Sequence, residues 1–346
     1  MLNSPELFVG KTLWGVAEAG DPSKWDGMLA RTKQEGYTFV ESILIFDVNL
    51  DRSLFRQLLD KHGLELVVQL HTASDWKCYD YCTSCELEEH VLSFRALLQE
   101  VLSSELRPKI INVHSGHDNW DIDTAVSYFQ QVLQIEAELL VGEHKEVLLV
   151  HETHRQRLLH SPYQTRDILT HPALQQQQPR SLKLNCDLSH WVVVCEKVFD
   201  AKTDARDKWW PAVLALTARH CRLVHGRYGH AEGPQLIDPR TEAQAQAQAQ
   251  AQEGEAEGRP EVAAHNAWWT AIFSSQRDRG CSSVVITEHG PEPYQSYHAP
   301  FASTSKATAA VGCGTSLLTD EEKSATLWDI NSFVKENVTR CYESLP

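Results

Sequence analysis

The sequence predicts an α/β protein: a (β/α)8 TIM barrel of eight parallel strands with a C-terminal helical extension. Three observations predict it. Eight short runs rich in Val, Ile and Leu, without polar alternation, each end in a polar or ionisable residue. Runs of that kind suit strands buried on both faces of a parallel sheet. Segments with helical spacing of apolar residues lie between them. From the second run onward the run ends stand 30, 43, 38, 35, 38 and 63 residues apart. A βα unit takes about 30 residues or more, so the eight runs fit one barrel of about 250 residues or more.

The strands are expected at Thr12–Trp14, Thr38–Glu41, Leu64–His71, Ile110–His114, Val147–Glu152, Leu182–Asp187, Leu223–His225 and Val284–Glu288. After the first, Trp25, Met28, Leu29 and Thr32 share one helical face. Phe55, Leu58 and Leu59 share another, and Val91, Phe94, Leu98 and Val101 make a third stripe. Gly36, Gly63 and Gly280 each separate such a segment from the next strand, where a helix often ends on positive φ. The 63-residue gap holds the Ala-Gln tract Glu242–Gly258, and without those 17 residues it falls to 46, near the ordinary pitch. That tract reads as a disordered low-complexity insertion, with Gln175–Gln178 a smaller case.

The pattern stops after Tyr294. Residues 1–300 are therefore assigned to the barrel, 301–318 to a linker of small and polar residues, and 319–346 to a C-terminal helix. Thr319 and Glu322 form a capping box that opens this helix, which ends near Tyr342. It is expected to pack on the barrel exterior or on a second subunit, as in a homodimer.

Composition narrows the function. With 346 residues, 42% of them hydrophobic, and 10 Trp, the chain can bury a sizeable core. The balance of 32 Lys+Arg against 47 Asp+Glu, a net charge of −15, argues against a nucleic-acid partner held through its phosphates. A small ligand or a metal is favoured. No run of about 18 apolar residues exists, and Met1–Lys11 lacks a basic start followed by an apolar stretch. Neither a membrane span nor a signal peptide is expected, and the protein is expected to be cytoplasmic. Nine scattered Cys fit reduced thiols better than a disulfide framework, so the Asn337-Val338-Thr339 sequon is expected to stay unglycosylated.

In such a barrel the reacting groups sit at the C-terminal ends of the strands. The last residues of the final four runs are Glu152, Asp187, His225 and Glu288. Three carboxylates and one imidazole make an open, mostly oxygen site for one divalent ion such as Mn2+, Mg2+ or Co2+, with Zn2+ a further candidate. An isolated strand-end His or Glu is more often structural; the four together, in order and at βα pitch, carry the reading.

The strings His151-Glu152-Thr153-His154-Arg155, Cys186-Asp187-Leu188-Ser189-His190-Trp191, His225-Gly226-Arg227-Tyr228-Gly229-His230 and Glu288-His289-Gly290-Pro291 resemble the xylose isomerase-like barrel superfamily, in its sugar phosphate isomerase/epimerase-like branch. The resemblance covers roughly Lys11 to Tyr294 and is more specific for fold and metal quartet than for substrate. It implies that Glu152, Asp187, His225 and Glu288 bind the ion. The substrate would be a sugar, sugar phosphate or related polyol, chelated through its carbonyl and a neighbouring hydroxyl. One of Glu152 and Glu288 would take the acidified C–H proton to give an enediolate and the other would return it. His190 and Arg227 would hold substrate hydroxyls or the developing oxyanion, and Arg155 would meet a carboxylate or phosphate. Both arginines are read with equal weight as ion-pair partners of the ligating carboxylates. His71 and His114 would line the sugar pocket. Trp14, Trp76 and Trp120 follow strands one, three and four, where they are candidates to line it too. Trp191, Trp209, Trp210, Trp268 and Trp269 read as packing residues.

Three rival readings use the same residues. Endonuclease IV, a zinc phosphodiesterase of the same superfamily acting on abasic DNA, adds histidines that His71, His114 and His190 would supply. Its Asp-x-His pair after strand seven has no counterpart in Tyr228-Gly229-His230. Cys78, Cys82 and Cys85 have the C-x3-C-x2-C spacing of radical S-adenosylmethionine enzymes, but they follow the third strand rather than the first. Loop cysteines with incidental spacing are the better reading. A barrel that binds metal and sugar without turnover is the third, disfavoured because no member of the quartet is missing.

Overall fold

The computed structural model describes residues 5–43, 51–74, 82–175, 179–240, 259–295 and 318–346. Eight strands pair in parallel in chain order and close on themselves: β1 (Leu7–Thr12), β2 (Phe39–Ser42), β3 (Glu65–His71), β4 (Ile110–His114), β5 (Leu148–Glu152), β6 (Leu184–Cys186), β7 (Cys221–Gly226) and β8 (Ser283–Thr287). The helices are α1 (Trp25–Gln34), α2 (Arg52–His62), α3 (Leu87–Ser103), α4 (Ile122–Leu139), α5 (Pro162–Thr170), α6 (Pro172–Gln175), α7 (Leu188–Val194), α8 (Trp210–His220), α9 (Pro260–Asp278) and α10 (Asp320–Glu343).

Local chemistry sets most boundaries. Asp51, Asp121 and Ser161 cap α2, α4 and α5 by accepting hydrogen bonds from Leu54 N, Thr124 N and Gln164 N. Gly36, Gly63 and Gly280 adopt φ of 79°, 60° and 67°, as the punctuation of the sequence predicts. The helical faces also point as expected: Trp25, Met28, Leu29 and Thr32 are buried, as are Phe94, Leu98 and Val101. Trp209, Trp210 and Trp268 pack with Phe199 in the helical layer, and Trp191 donates its indole N–H to Leu159 O.

One expectation is revised and another is met. The first strand runs over Leu7–Thr12, one turn of chain earlier than the Thr12–Trp14 run, because Gly10 and Lys11 interrupt the apolar pattern yet are built into the barrel wall. The C-terminal helix is the outer helix of the eighth βα unit. It packs on β1, β7, β8 and α9, burying Leu327, Trp328, Val334 and Val338. Its capping box is present in both directions: Glu322 N donates to Thr319 Oγ1 at 3.2 Å and Thr319 N to Glu322 Oε2 at 2.8 Å. The Ala-Gln tract Glu242–Gly258, most of Gln175–Gln178 and nearly all of 301–318 lie outside the described residues.

The barrel interior is divided. At the N-terminal end Phe39, Val67, Ile110, Val150, Leu223 and Ile286 form a dry apolar plug. A Cβ on Gly10 would stand 2.4 Å from Ile286 Cδ1 and 2.5 Å from Phe39 Cβ, so only glycine lets these two side chains fill the interior beside β1. The polar groups lie at the C-terminal end.

Candidate metal centre

Period-two alternation carries each inward position from the apolar plug to the C-terminal rim. Glu152 ends β5, His225 lies in β7, and Asp187 and Glu288 directly follow β6 and β8. Asp187 is also the N-cap of α7, accepting from Ser189 N at 3.0 Å. The four side chains are buried, and their ligand atoms all lie within 4.8 Å of one another. The quartet expected from the sequence is thus assembled.

Its electrostatics are lopsided. Four buried carboxyl groups, those of Glu41, Glu152, Asp187 and Glu288, face one guanidinium, Arg227, and the His225 imidazole. Glu152 Oε2 accepts from Asn112 Nδ2 at 2.5 Å and Asn185 Nδ2 at 3.2 Å, while its Oε1 has no hydrogen-bond partner among the described residues. Arg227 pairs closely with Asp187 Oδ2 and lies 3.5 Å from Glu288 Oε2. His225 Nδ1 stands 2.8 Å from Glu288 Oε2 and 3.5 Å from Glu152 Oε2, yet makes no hydrogen bond with either. Metal–ligand bonds of about 2.1 Å place neighbouring donor atoms about 3.0 to 3.4 Å apart, close to the 2.8 and 3.5 Å found around His225 Nδ1. A divalent ion fits this donor set.

The titration shifts agree. Burial pushes Asp187 up to about 7, against the pull of Arg227. Burial also raises Glu41 despite His225 beside it. For Glu152 burial is overcome by His114 and His225, which hold the carboxyl well below the usual range. Glu288 is likewise lowered, by His225 and Arg227 against burial. His225 is raised well above an ordinary imidazole because Glu288, Glu41 and Glu152 outweigh its burial.

A cavity of about 300 Å³ opens beside the quartet. Glu41, His71, His114, His154, Arg227 and Glu288 line one part of it, and Leu13, Trp14, Val16, Ala19 and Tyr294 another. His71 stacks on His114 with centroids 4.0 Å apart, and His154 tilts against His190 at 3.9 Å. His190 Nε2 accepts from Arg227 Nη2 at 2.6 Å, so this imidazole orients the guanidinium. Arg155 is not among the cavity's lining residues; its guanidinium lies 4.8 Å from the Tyr294 ring centroid. Arg227 takes the ion-pair alternative of the two weighed for it while still facing the cavity. Trp14 lines the cavity, whereas Trp120 donates to Cys85 O and packs on His90. Trp76 and Cys78 lie outside the described residues. Cys82 donates to Ser84 O, and every described cysteine is free.

Loop contacts hold the rim. A Cβ on Gly229 would stand 2.8 Å from Ser189 Cα, so the chain after β7 lies directly against the start of α7 and brings Arg227 to Asp187. Beyond Glu288, Asn331 of α10 bridges the backbone of His289 and Gln235 that of Gly290, each in both directions.

Two residues missed by the sequence reading belong here. Glu41 accepts from His225 Nε2 at 3.0 Å, which fixes the tautomer that turns Nδ1 toward the carboxylates. Its signal was its place at a strand end, equivalent to that of the ligands. His154 shares a face with Glu152 through the i, i+2 spacing of an extended chain.

No protein-family model and no curated protein sequence matches this chain. Solved structures match in fold. An L-ribulose 3-epimerase superposes with a TM-score of 0.55 at 13% identity, over 97% of this chain and 95% of that one. A D-allulose 3-epimerase from Methylomonas sp., in complex with D-allulose, gives 0.53 at 11% identity over 99% of both chains. The IolI protein with a bound zinc atom gives 0.52 at 13% over 98% of this chain and 100% of that one. What these structures show for this chain is its fold, a closed eight-stranded (β/α)8 barrel. Among the described residues no helix is long and apolar enough to cross a membrane.

Proposed function

We propose that this chain is a divalent-metal-dependent isomerase or epimerase of a sugar, sugar phosphate or related polyol, working through an enediolate. The carrying observation is the buried convergence of Glu152, Asp187, His225 and Glu288 beside a cavity of sugar size. Those four residues would hold one Mn2+, Mg2+, Co2+ or Zn2+ ion. When bound, the ion supplies Lewis acidity to a carbonyl and its neighbouring hydroxyl.

The chain's own groups do the rest. Glu152 and Glu288, both drawn below their ordinary pKa, are ionised at neutral pH; one accepts the carbon-bound proton and the other returns it. Arg227, held by Asp187 and oriented by His190, faces the developing oxyanion. His71 and His114 bind substrate hydroxyls, and Leu13, Trp14 and Val16 keep water from the proton in transit. Arg155 would meet a terminal phosphate or carboxylate only after swinging from Tyr294.

Solvent exchange tests this reading. Metal-loaded protein incubated in D2O with a panel of ketopentoses and ketohexoses should place deuterium on the carbon beside the carbonyl of at least one of them, as seen by NMR. No incorporation into any, with metal bound at stoichiometry, would sink it. Cleavage of abasic-site DNA by the same preparation would favour the zinc phosphodiesterase instead.

A further inference from the structure

Behind the cavity histidines lies a buried polar chain that the proposed chemistry does not use. Successive residues of a strand face opposite ways, so where His114 and Glu152 turn inward, Ser115 and His151 turn out to the helical layer. There His151 packs against Phe94 of α3 and Phe129 of α4, with ring centroids 6.3 and 5.2 Å away. Its Nε2 lies 3.2 Å from Glu136 Oε1 of α4, and its Nδ1 2.6 Å from Ser115 Oγ. A carboxylate accepts, so Nε2 donates to Glu136 and Nδ1 accepts from the Ser115 hydroxyl. All three residues are at most 2% exposed, and none lines the cavity beside the quartet.

The chain stands where the sheet's own bonding gives out. The backbone ladder between β4 and β5 ends with Val113 opposite His151, and Glu152 pairs instead with Asn185 of β6. The Ser115–His151 bond therefore ties β4 to β5 beyond their last paired residues. At that level His114 Nε2 meets Glu152 Oε2 as an ion pair at 3.0 Å. The device recurs one strand earlier: Thr72, directly after His71, has its Oγ1 2.8 Å from Nδ1 of the buried His90 of α3.

We propose that Ser115, His151 and Glu136 are positioning residues of the metal centre: anchored on α4, they set the end of β4 against the end of β5, and thereby His114 against Glu152. The inference rests on the proposed reading in that Glu152 is taken as a ligand. A hydrogen-bonded chain is directional where an apolar contact is not. It fixes both the spacing of the two strand ends and the plane of the His151 ring, so cutting it is felt at the next residue, Glu152, rather than across the fold.

The probe is Co2+ alone, read by its visible bands and by chelator competition, with urea unfolding giving the folded fraction. Ser115→Ala and Glu136→Gln should each shift the Co2+ bands and weaken binding about tenfold in fully folded protein. Ser115→Ala removes a single oxygen and keeps the test open if Glu136→Gln folds poorly. Val132→Ala, which deletes buried apolar contact one turn away on α4, should lower the urea midpoint and leave bands and affinity as in the wild type. Wild-type bands and affinity in both Ser115→Ala and Glu136→Gln overturn the positioning role and leave the quartet standing. An equal spectral change in Val132→Ala overturns it too, since any loosening of α4 would then suffice. No Co2+ bound by the wild type overturns the metal centre itself, and this inference with it.

Discussion

The two ends of the barrel interior are built from the same strands and obey opposite rules. Phe39 and Glu41 share β2; Val67 and His71 share β3; Ile110 and His114 share β4; Leu223 and His225 share β7. Two to four residues, about 7 to 13 Å of extended chain, separate a dry hydrocarbon plug from a cluster of buried carboxylates and imidazoles. At the plug every inward side chain is satisfied by its neighbours. At the rim Glu41 Oε2, Glu152 Oε1 and Glu288 Oε2 have no hydrogen-bond partner among the described residues. One end completes itself, and the other leaves acceptors that a bound cation would complete.

The sharpest way to break that contrast is to remove one rim carboxylate and one plug residue in turn. Glu152→Gln or Glu288→Gln should lower turnover about 10²- to 10⁴-fold, the span of acid–base catalysis. The metal-free protein should also melt somewhat lower at neutral pH, because His114, His225 and Arg227 hold both carboxyls below their usual range and the ionised groups favour the folded state. Turnover that falls no further than the folded fraction does would assign both residues to the fold rather than to the chemistry. Leu223→Ala should do the reverse, costing about 2 to 5 kcal/mol in urea unfolding through the cavity it leaves. Its metal stoichiometry should stay that of the wild type.

The same contrast explains what the sequence made legible. All eight strands announced themselves as apolar runs, seven near their observed positions, because a strand buried on both faces has no polar alternation to hide it. The first was displaced because Lys11, 1% exposed beside Trp328, reads as a surface residue. The quartet was legible because each member ends one of the last four runs. Glu41 was not: it also ends a run, but its partner His225 is 184 residues away, and only barrel closure brings them together. His154 was hidden in a string with two other candidates, and the C-terminal helix looked like an appendage because a long stretch separates it from β8.

Lys11 sharpens the comparison as a charged group buried in the barrel wall, away from the quartet. Its Nζ lies 4.2 Å from the Trp328 ring centroid, and burial pushes its pKa down to about 7. Between about pH 7 and 10.5 the unfolded chain binds more protons here than the folded one, so stability rises with pH across that window. Lys11→Met should therefore stabilise the protein most below pH 7, by a few kcal/mol, with the gain fading toward pH 10. Urea midpoints at pH 6 and 9.5 check this; an equal gain at both would mean that packing, not charge, is responsible.

The smallest effect tests whether the rim is positioned as well as charged. Glu41 accepts from His225 Nε2, so its carboxylate both fixes the tautomer and strengthens Nδ1 as a donor toward a cation. Glu41→Gln keeps an acceptor of the same reach but removes the charge. Divalent-ion affinity, measured by chelator competition, should fall about 10- to 100-fold, the usual cost of losing a carboxylate behind a ligating histidine. The fold should lose nothing, because burial already pushes the Glu41 carboxyl upward and a neutral amide avoids that cost. Unchanged affinity would leave Glu41 as a structural neighbour of His225. A loss in Glu41→Gln as large as in Asp187→Asn would instead place Glu41 among the ligands, and the centre would then span five strands rather than four.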